Sequence, residues 1–398
     1  MGPTEIYNPT SAEAHDSPYS AYARLRDEFP LYHCDAMDAW ALSRYRDVRE
    51  ALRDWQTFTS TRGVEVGEYI QFFGEGSIQE LDPPRHDTLR KILATRFQAR
   101  RIAEYEPVVR ECAEDLLAGL RGRDAADLGH EFTRALPILT IHRLIGIPEK
   151  DVTWATRASL EMLDRPAGES GPSERARRIR DEIADYMVDQ VQRRRSDGGG
   201  DDVLSDVATG IDAGVMKASE IQGLMLLLIA AGMETTTSLM GTFIDGLATG
   251  LVVPEQLVDH EGRVTDSALN EFVRWESPVQ WLARVTTRPV VLHGIGLPAG
   301  ARVLMIFASA NRDPREFELP DELNLGRDGS RNLSFGEGIH FCIGMPLARL
   351  ETRVGIKELL DRLPPFRSDG SPVRYPSHVI RGLAGIPVVF DRAPESND

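Results

Sequence analysis

From Ser219 to Leu239 apolar residues occupy nearly every position around a helical wheel, which predicts a helix running through the interior. Other stretches carry the one-sided spacing of amphipathic helices. Residues 17–29 show it up to Pro30, Tyr45 to Trp55 repeat it, and Asp266 to Glu276 predict a helix stopped by Pro278. Most of 102–195 also reads as helix, broken at Pro166 to Pro172 and followed by a solvated turn from Arg193 to Gly200. Short apolar runs at Leu31–Tyr32 and Trp40–Leu42 predict strands. The alternation around turn residues from Val290 to Ile306 predicts a hairpin. The expected fold class is mainly α with a small β-rich region. No linker, repeat or low-complexity tract divides it, so one domain over 1–398 is expected.

Polar residues in apolar surroundings mark the candidate chemistry. Midway along the Ser219–Leu239 helix, small Ala230, Ala231 and Gly232 precede Glu234, Thr235, Thr236 and Thr237, an acid and hydroxyls that need partners or a task in an interior. Thr235, Ala231 and Leu227 share one face, which could admit a diatomic ligand and a substrate. The structural alternative is that such hydroxyls bond their own helix's carbonyls. Between Thr61 and Gln79, glycines alternate with Val64, Val66, Tyr69, Ile70, Phe72 and Phe73. That much apolar surface is expected to cover a cavity rather than face water. After Pro83 and Pro84, His86 and Arg90 fall on one helical face, two donors suited to a pair of carboxylates or, more plainly, a solvated basic face. Arg85, Lys91, Arg96, Arg100 and Arg101 make the same segment basic.

Cys342 stands in the stretch Phe335-Gly336-Glu337-Gly338-Ile339-His340-Phe341-Cys342-Ile343-Gly344. Its glycines allow the backbone close to a flat partner, and Pro346 suits the first turn of a following helix. The N–H groups and dipole of that helix are expected to favour a thiolate, a good ligand for haem iron. As an isolated feature, a free cysteine is more often a small buried hydrophobe.

The chain has 41% hydrophobic and 27% charged residues and a formal charge of −16, which argues against nucleic acid or an anionic membrane as partner. Cys34, Cys112 and Cys342 form no disulfide framework and fit a reducing cytoplasm. The first residues read as neither signal peptide nor membrane anchor, and the apolar run from Leu224 to Met233 is about half of the roughly 20 residues that a membrane span needs.

The pattern F-G-x-G-x-H-x-C-x-G resembles the haem-binding loop of the cytochrome P450 family. D-P-P-x-H-x-x-x-R at Asp82, A-G-x-[D/E]-T-[T/S] at Ala231 and E-x-x-R at Glu271 resemble further motifs of that family, in its order. The resemblance implies a cytochrome P450 fold and haem b ligated by Cys342, with Phe335, Gly336, Gly344, Ala231 and Gly232 beside it. It implies propionate contacts from His86, Arg90, Arg284 and His340, and proton and dioxygen handling by Glu234 and Thr235. Tyr69, Phe72, Phe73, Leu227, Ala230, Val279, Trp281 and Leu282 would line the substrate pocket, and Glu271 with Arg274 would support the scaffold. The implied activity is insertion of one atom of dioxygen into a small, mainly apolar or aromatic substrate by a soluble bacterial-type enzyme. Electrons would come from NAD(P)H through a separate ferredoxin and ferredoxin reductase, docking on the basic segment. A peroxide-driven peroxygenase and a non-catalytic haem sensor are the alternatives.

Overall fold

One helix, Ile221–Ala248, runs through the centre of the molecule. The computed structural model describes residues 5–163 and 171–391, so the break expected at Pro166 to Pro172 lies largely outside the described residues. The helix extends beyond the predicted Leu239 because apolar Met240, Phe243 and Ile244 continue its buried face. The short turn Ala218–Glu220, closed by Glu220 accepting the Lys217 N–H at 2.8 Å, leads into it, and Gly250, at φ 72°, follows its end. By length and composition this helix could cross a membrane, but 78% of its most apolar window is buried inside the protein. It packs against the helices Ala135–Ile145, Glu174–Asp197 and Met345–Arg362.

The largest sheet has the order β1-β2-β8-β5-β3, made of β1 (Leu31–Cys34), β2 (Ala39–Leu42), β3 (Phe58–Thr59), β5 (Leu282–Thr286) and β8 (Arg302–Met305). Only β2 and β8 pair in parallel; β5 lies antiparallel on β8, with Arg284 opposite Val303. The predicted hairpin forms between β6 (Val290–Leu292) and β7 (Ile295–Leu297), with His293 and Gly294 at positive φ in its turn. A three-stranded sheet joins β4 (Ala125–Asp127), β12 (Pro387–Phe390) and β9 (Phe366–Ser368), and β10 (Val373–Arg374) pairs with β11 (Leu383–Gly385).

Two local expectations change. β4 lies within the stretch read as helical; its three residues are too few for a periodic signal and owe their conformation to pairing with Val388 and its neighbours. The expected turn at Arg193 begins later: the helix continues to Asp197 and ends on Gly198 at φ 86°. Arg194 is held there by Asp202 and the Gly146 carbonyl, each at 2.8–2.9 Å.

The helix Asp266–Trp275 contributes a closed polar knot to the core. Glu271 and Arg274 are both 0% exposed and meet through two hydrogen bonds of 2.8 Å. Arg274 also donates to the carbonyls of Asn311, Pro320 and Glu322, while Glu271 accepts from the Asn324 N–H and from Arg327. Charges taken so fully out of water persist only when answered this completely.

Candidate active site

The loop from Phe335 to Gly344 is shaped by its glycines. Gly336 and Gly338 adopt φ of 72° and 71°, and a Cβ on Gly338 would come within 2.8 Å of the Leu52 carbonyl. The loop therefore lies directly on the helix Tyr45–Arg53, where Arg53 also grips Glu337 at 2.8 Å. The Cys342 N–H closes the loop on the Phe335 carbonyl at 2.8 Å, and helix Met345–Arg362 begins just beyond. The backbone N–H groups of Gly344 and Met345 donate to the Cys342 sulfur. Burial nevertheless pushes the thiol above its ordinary range, outweighing those donors and nearby Arg90. This reverses the sequence expectation of a thiolate in the protein alone; coordination to a metal deprotonates a thiol outright.

Cationic and imidazole groups converge above this loop. His86, on the helix Arg85–Ala94, is 1% exposed and meets the His340 ring edge-on, with centroids 4.6 Å apart. Its Nδ1 faces Asp87 at 2.9 Å, whereas its buried Nε2 has no hydrogen-bond partner. His340 Nε2 meets the Ser60 hydroxyl at 3.1 Å, and Arg90 donates to the Phe341 carbonyl at 2.6 Å. Arg284, 5% exposed, spends one N–H on the Ala283 carbonyl. Burial lowers its guanidinium to about 10 against the pull of Asp82, itself engaged by Thr59 and Ser60. Burial first, then Arg284, His86 and Arg90, hold His340 down to about 2. Two guanidiniums and two imidazoles, buried at His86 and Arg284 and half-buried at Arg90 and His340, with one unsatisfied imidazole nitrogen, match the carboxylate pair of a haem, and the sulfur matches its iron. The residues present fit that group.

The core helix turns an exposed Ala231 out of an otherwise buried run, with Leu227 buried one turn before and half-buried Thr235 one turn after. Thr235 donates to the Ala231 carbonyl at 2.9 Å, as in the structural alternative, which leaves its oxygen free to accept. Ala230 is buried beside them. Gly232 serves packing instead: a Cβ there would approach Ile141 to 3.0 Å, so its small size admits the helix Ala135–Ile145. Glu234 is half-buried, bordering a cavity with Arg134, Thr237 and Tyr375. Sequence reasoning passed over Glu351, 0% exposed, which accepts hydrogen bonds from Thr140 and Thr236 and is raised to about 8 by burial. An acid in the apolar register of Met345–Arg362 was its only signal.

The segment expected to cover a cavity is folded rather than loose. Tyr69 and Phe72 are buried, Phe72 and Phe73 pack edge-on at 5.5 Å, and Arg180 lies 5.2 Å over the Phe72 ring. The Gly223 N–H donates to the Glu75 carbonyl, tying this segment to the start of the core helix. Val279 and Leu282 are half-buried. Trp281 departs from expectation: alternation along the strand sends it with Ala283 into a closed apolar cluster containing Tyr22, Leu25 and Leu304. There it is 0% exposed and stacks on His378 at 5.7 Å. The basic segment is also largely consumed internally, Arg85 by Glu220, Arg96 by Asp201 and Asp206, and Arg101 by Glu104 and Asp201. Lys91 and Arg100 remain exposed.

The family model for cytochrome P450 matches residues 7–136 and 262–370. The chain is 34% identical over 400 residues to the cytochrome P450 monooxygenase PikC of Streptomyces venezuelae, covering 95% of this chain and 92% of that one. It is 33% identical over 407 residues to the vitamin D(3) 25-hydroxylase of Pseudonocardia autotrophica, covering 96% and 98%. Among solved structures, cytochrome P450 CYP109Q5 from Chondromyces apiculatus superposes with a TM-score of 0.84 at 31% identity, over 97% of this chain and 98% of that one. CYP109E1 from Bacillus megaterium, in complex with testosterone, gives 0.85 at 27% identity, over 96% and 100%. The chain belongs to the cytochrome P450 family, as a haem-thiolate monooxygenase of the bacterial type.

Proposed function

We propose that Cys342 is the thiolate ligand of a haem b whose propionates are held by His86, Arg90, Arg284 and His340. The observation that carries this reading is the convergence of these donors, one of them the partnerless buried His86 Nε2, on the loop of a cysteine that already receives two backbone N–H groups. Bound there, the haem supplies dioxygen binding and reductive O–O cleavage.

The chain's own groups do the rest. Gly344 and Met345 direct N–H groups at the sulfur and temper its electron donation. Thr235, its hydroxyl hydrogen committed to Ala231, offers an oxygen that accepts a hydrogen bond from a proton-bearing species on the dioxygen side. Glu234, next along the same helix, supplies and recovers the protons. Tyr69, Phe72, Phe73, Leu227, Ala230, Val279 and Leu282 bound an apolar substrate pocket and exclude water from it. The relative named vitamin D(3) 25-hydroxylase and the neighbour holding testosterone support a compact apolar substrate. Trp281 is left out of this pocket.

Electrons come from a ferredoxin and its NAD(P)H-dependent reductase in the cytoplasm, with docking narrowed to the exposed Lys91 and Arg100 near the cysteine loop. One domain, 1–398, carries the activity. Reconstitution with a ferredoxin system, a steroid and polyketide panel and isotopically labelled dioxygen tests this reading. One labelled oxygen atom in each product is expected; product formation from peroxide alone, and none with the redox partners, would favour the peroxygenase alternative.

A further inference from the structure

Three separate elements are pressed together around Glu234. Gly382 approaches the core helix so closely that a Cβ there would fall 2.0 Å from the Ser238 hydroxyl, and Leu383 and Ile386 pack over Gly241. On the other side, the turn Gly129–Thr133 lies against β11, where a Cβ on Gly129 would come within 2.8 Å of Gly385. These contacts set Tyr375 and Arg134 at one end of the core helix's polar segment. The Arg134 guanidinium lies 5.8 Å from the Tyr375 ring centroid. The Tyr375 backbone is fixed by Gly382, which accepts its N–H, and by His15, which meets its carbonyl at 2.7 Å. Arg134, Tyr375, Glu234, Thr237 and Ser377 border a cavity of about 110 Å³, enough for a few waters among polar partners. Tyr375 lies within the fields of both charges: Arg134 favours its ionised form, Glu234 opposes it, and burial outweighs both, so the phenol keeps its proton.

We infer that Arg134 and Tyr375 are positioning residues that connect Glu234 to water in this cavity, forming the outer end of its proton path. This rests on the role proposed above for Glu234. Each proton that Glu234 releases toward the dioxygen side is replaced by one from a cavity water, which is itself replenished from solvent. The Tyr375 phenol donates one hydrogen as it accepts another, so it ends each cycle unchanged. Arg134 stabilises the carboxylate between the two transfers and exchanges no proton.

The haem-loaded protein, reduced through a plant-type ferredoxin and its reductase, tests the inference by NADPH consumption, peroxide release and the solvent isotope effect. Tyr375→Phe and Arg134→Leu should each slow the proton-dependent step by about three- to tenfold, a fraction of the roughly 10²–10⁴ that acid–base catalysis supplies. Both should raise the solvent isotope effect, and Arg134→Lys should restore the rate. Infrared difference spectra give a readout independent of turnover. The Glu234 carboxylate band, identified by its loss in Glu234→Gln, should weaken in favour of the protonated form in Arg134→Leu but not in Arg134→Lys. Wild-type isotope effects in both variants, beside an impaired Glu234→Gln, would overturn this inference alone. An unimpaired Glu234→Gln would overturn it together with the reading on which it rests.

Discussion

Two clusters of ionisable groups, one fully buried and one partly so, teach different lessons. Around Glu271 and Arg274, every charge is answered within the chain by a carboxylate, a guanidinium or a backbone group. Around His86, Arg90, Arg284 and His340, donors outnumber the acids that face them, and burial depresses the groups that would carry positive charge. The first cluster is complete and holds the fold. On the reading proposed above, the second would gain its counter-charge from the two carboxylates of a bound haem, as a site does and a scaffold does not.

The largest expected effect comes from breaking the closed cluster. Glu271→Ala leaves Arg274 buried without its carboxylate, a loss of about 3–5 kcal/mol for a pair of this kind. Denaturant unfolding should show the midpoint collapse, or the chain should fail to accumulate folded. The open cluster predicts the reverse balance. Arg284→Leu should leave the stability of the haem-free protein unchanged or slightly raised while weakening haem retention by about ten- to a hundredfold, the worth of a charge-assisted hydrogen bond of about 1.5–3 kcal/mol. Haem transfer to an acceptor protein measures this, and equal losses in both assays would erase the distinction between the clusters.

Acid sharpens the same contrast at a smaller scale. His340, held down to about 2 by burial first and then by Arg284, His86 and Arg90, binds its proton more weakly when folded than when unfolded. Its contribution to stability is therefore present above the ordinary histidine pKa of about 6.5 and declines as pH falls below it. His142, at about 4 from burial in the core, adds a similar decline down to that value. Haem, whose carboxylates would face His340 but not His142, should remove the first decline and keep the second. Unfolding followed from pH 7 to pH 4 with and without haem, in wild type and His340→Gln, reads this. An identical acid profile with and without haem would contradict it.

What was legible in the sequence was what local spacing encodes. The apolar run of the core helix, the hairpin at Val290–Leu297 and the helix that follows Cys342 follow from periodicity and turn chemistry. Pairings between distant segments were not legible. β4 takes its conformation from β12 across more than 250 residues, and Trp281 differs from its neighbour Leu282 only by the side of the strand it occupies. Gly232 looked like space for a ligand until Ile141 filled it. The basic segment looked like a docking face until Glu220, Asp201 and Asp206, far off in sequence, claimed its arginines. Even the direction of the Cys342 shift depended on burial that no local pattern reports.

The central claim is that Cys342 ligates the haem iron. The carbon monoxide difference spectrum of the reduced protein, for wild type and Cys342→Ala, tests it most directly. A red-shifted Soret band of the thiolate type, lost in the variant, is the predicted result; a histidine-type band in the wild type, or a thiolate-type band that survives the substitution, would contradict it.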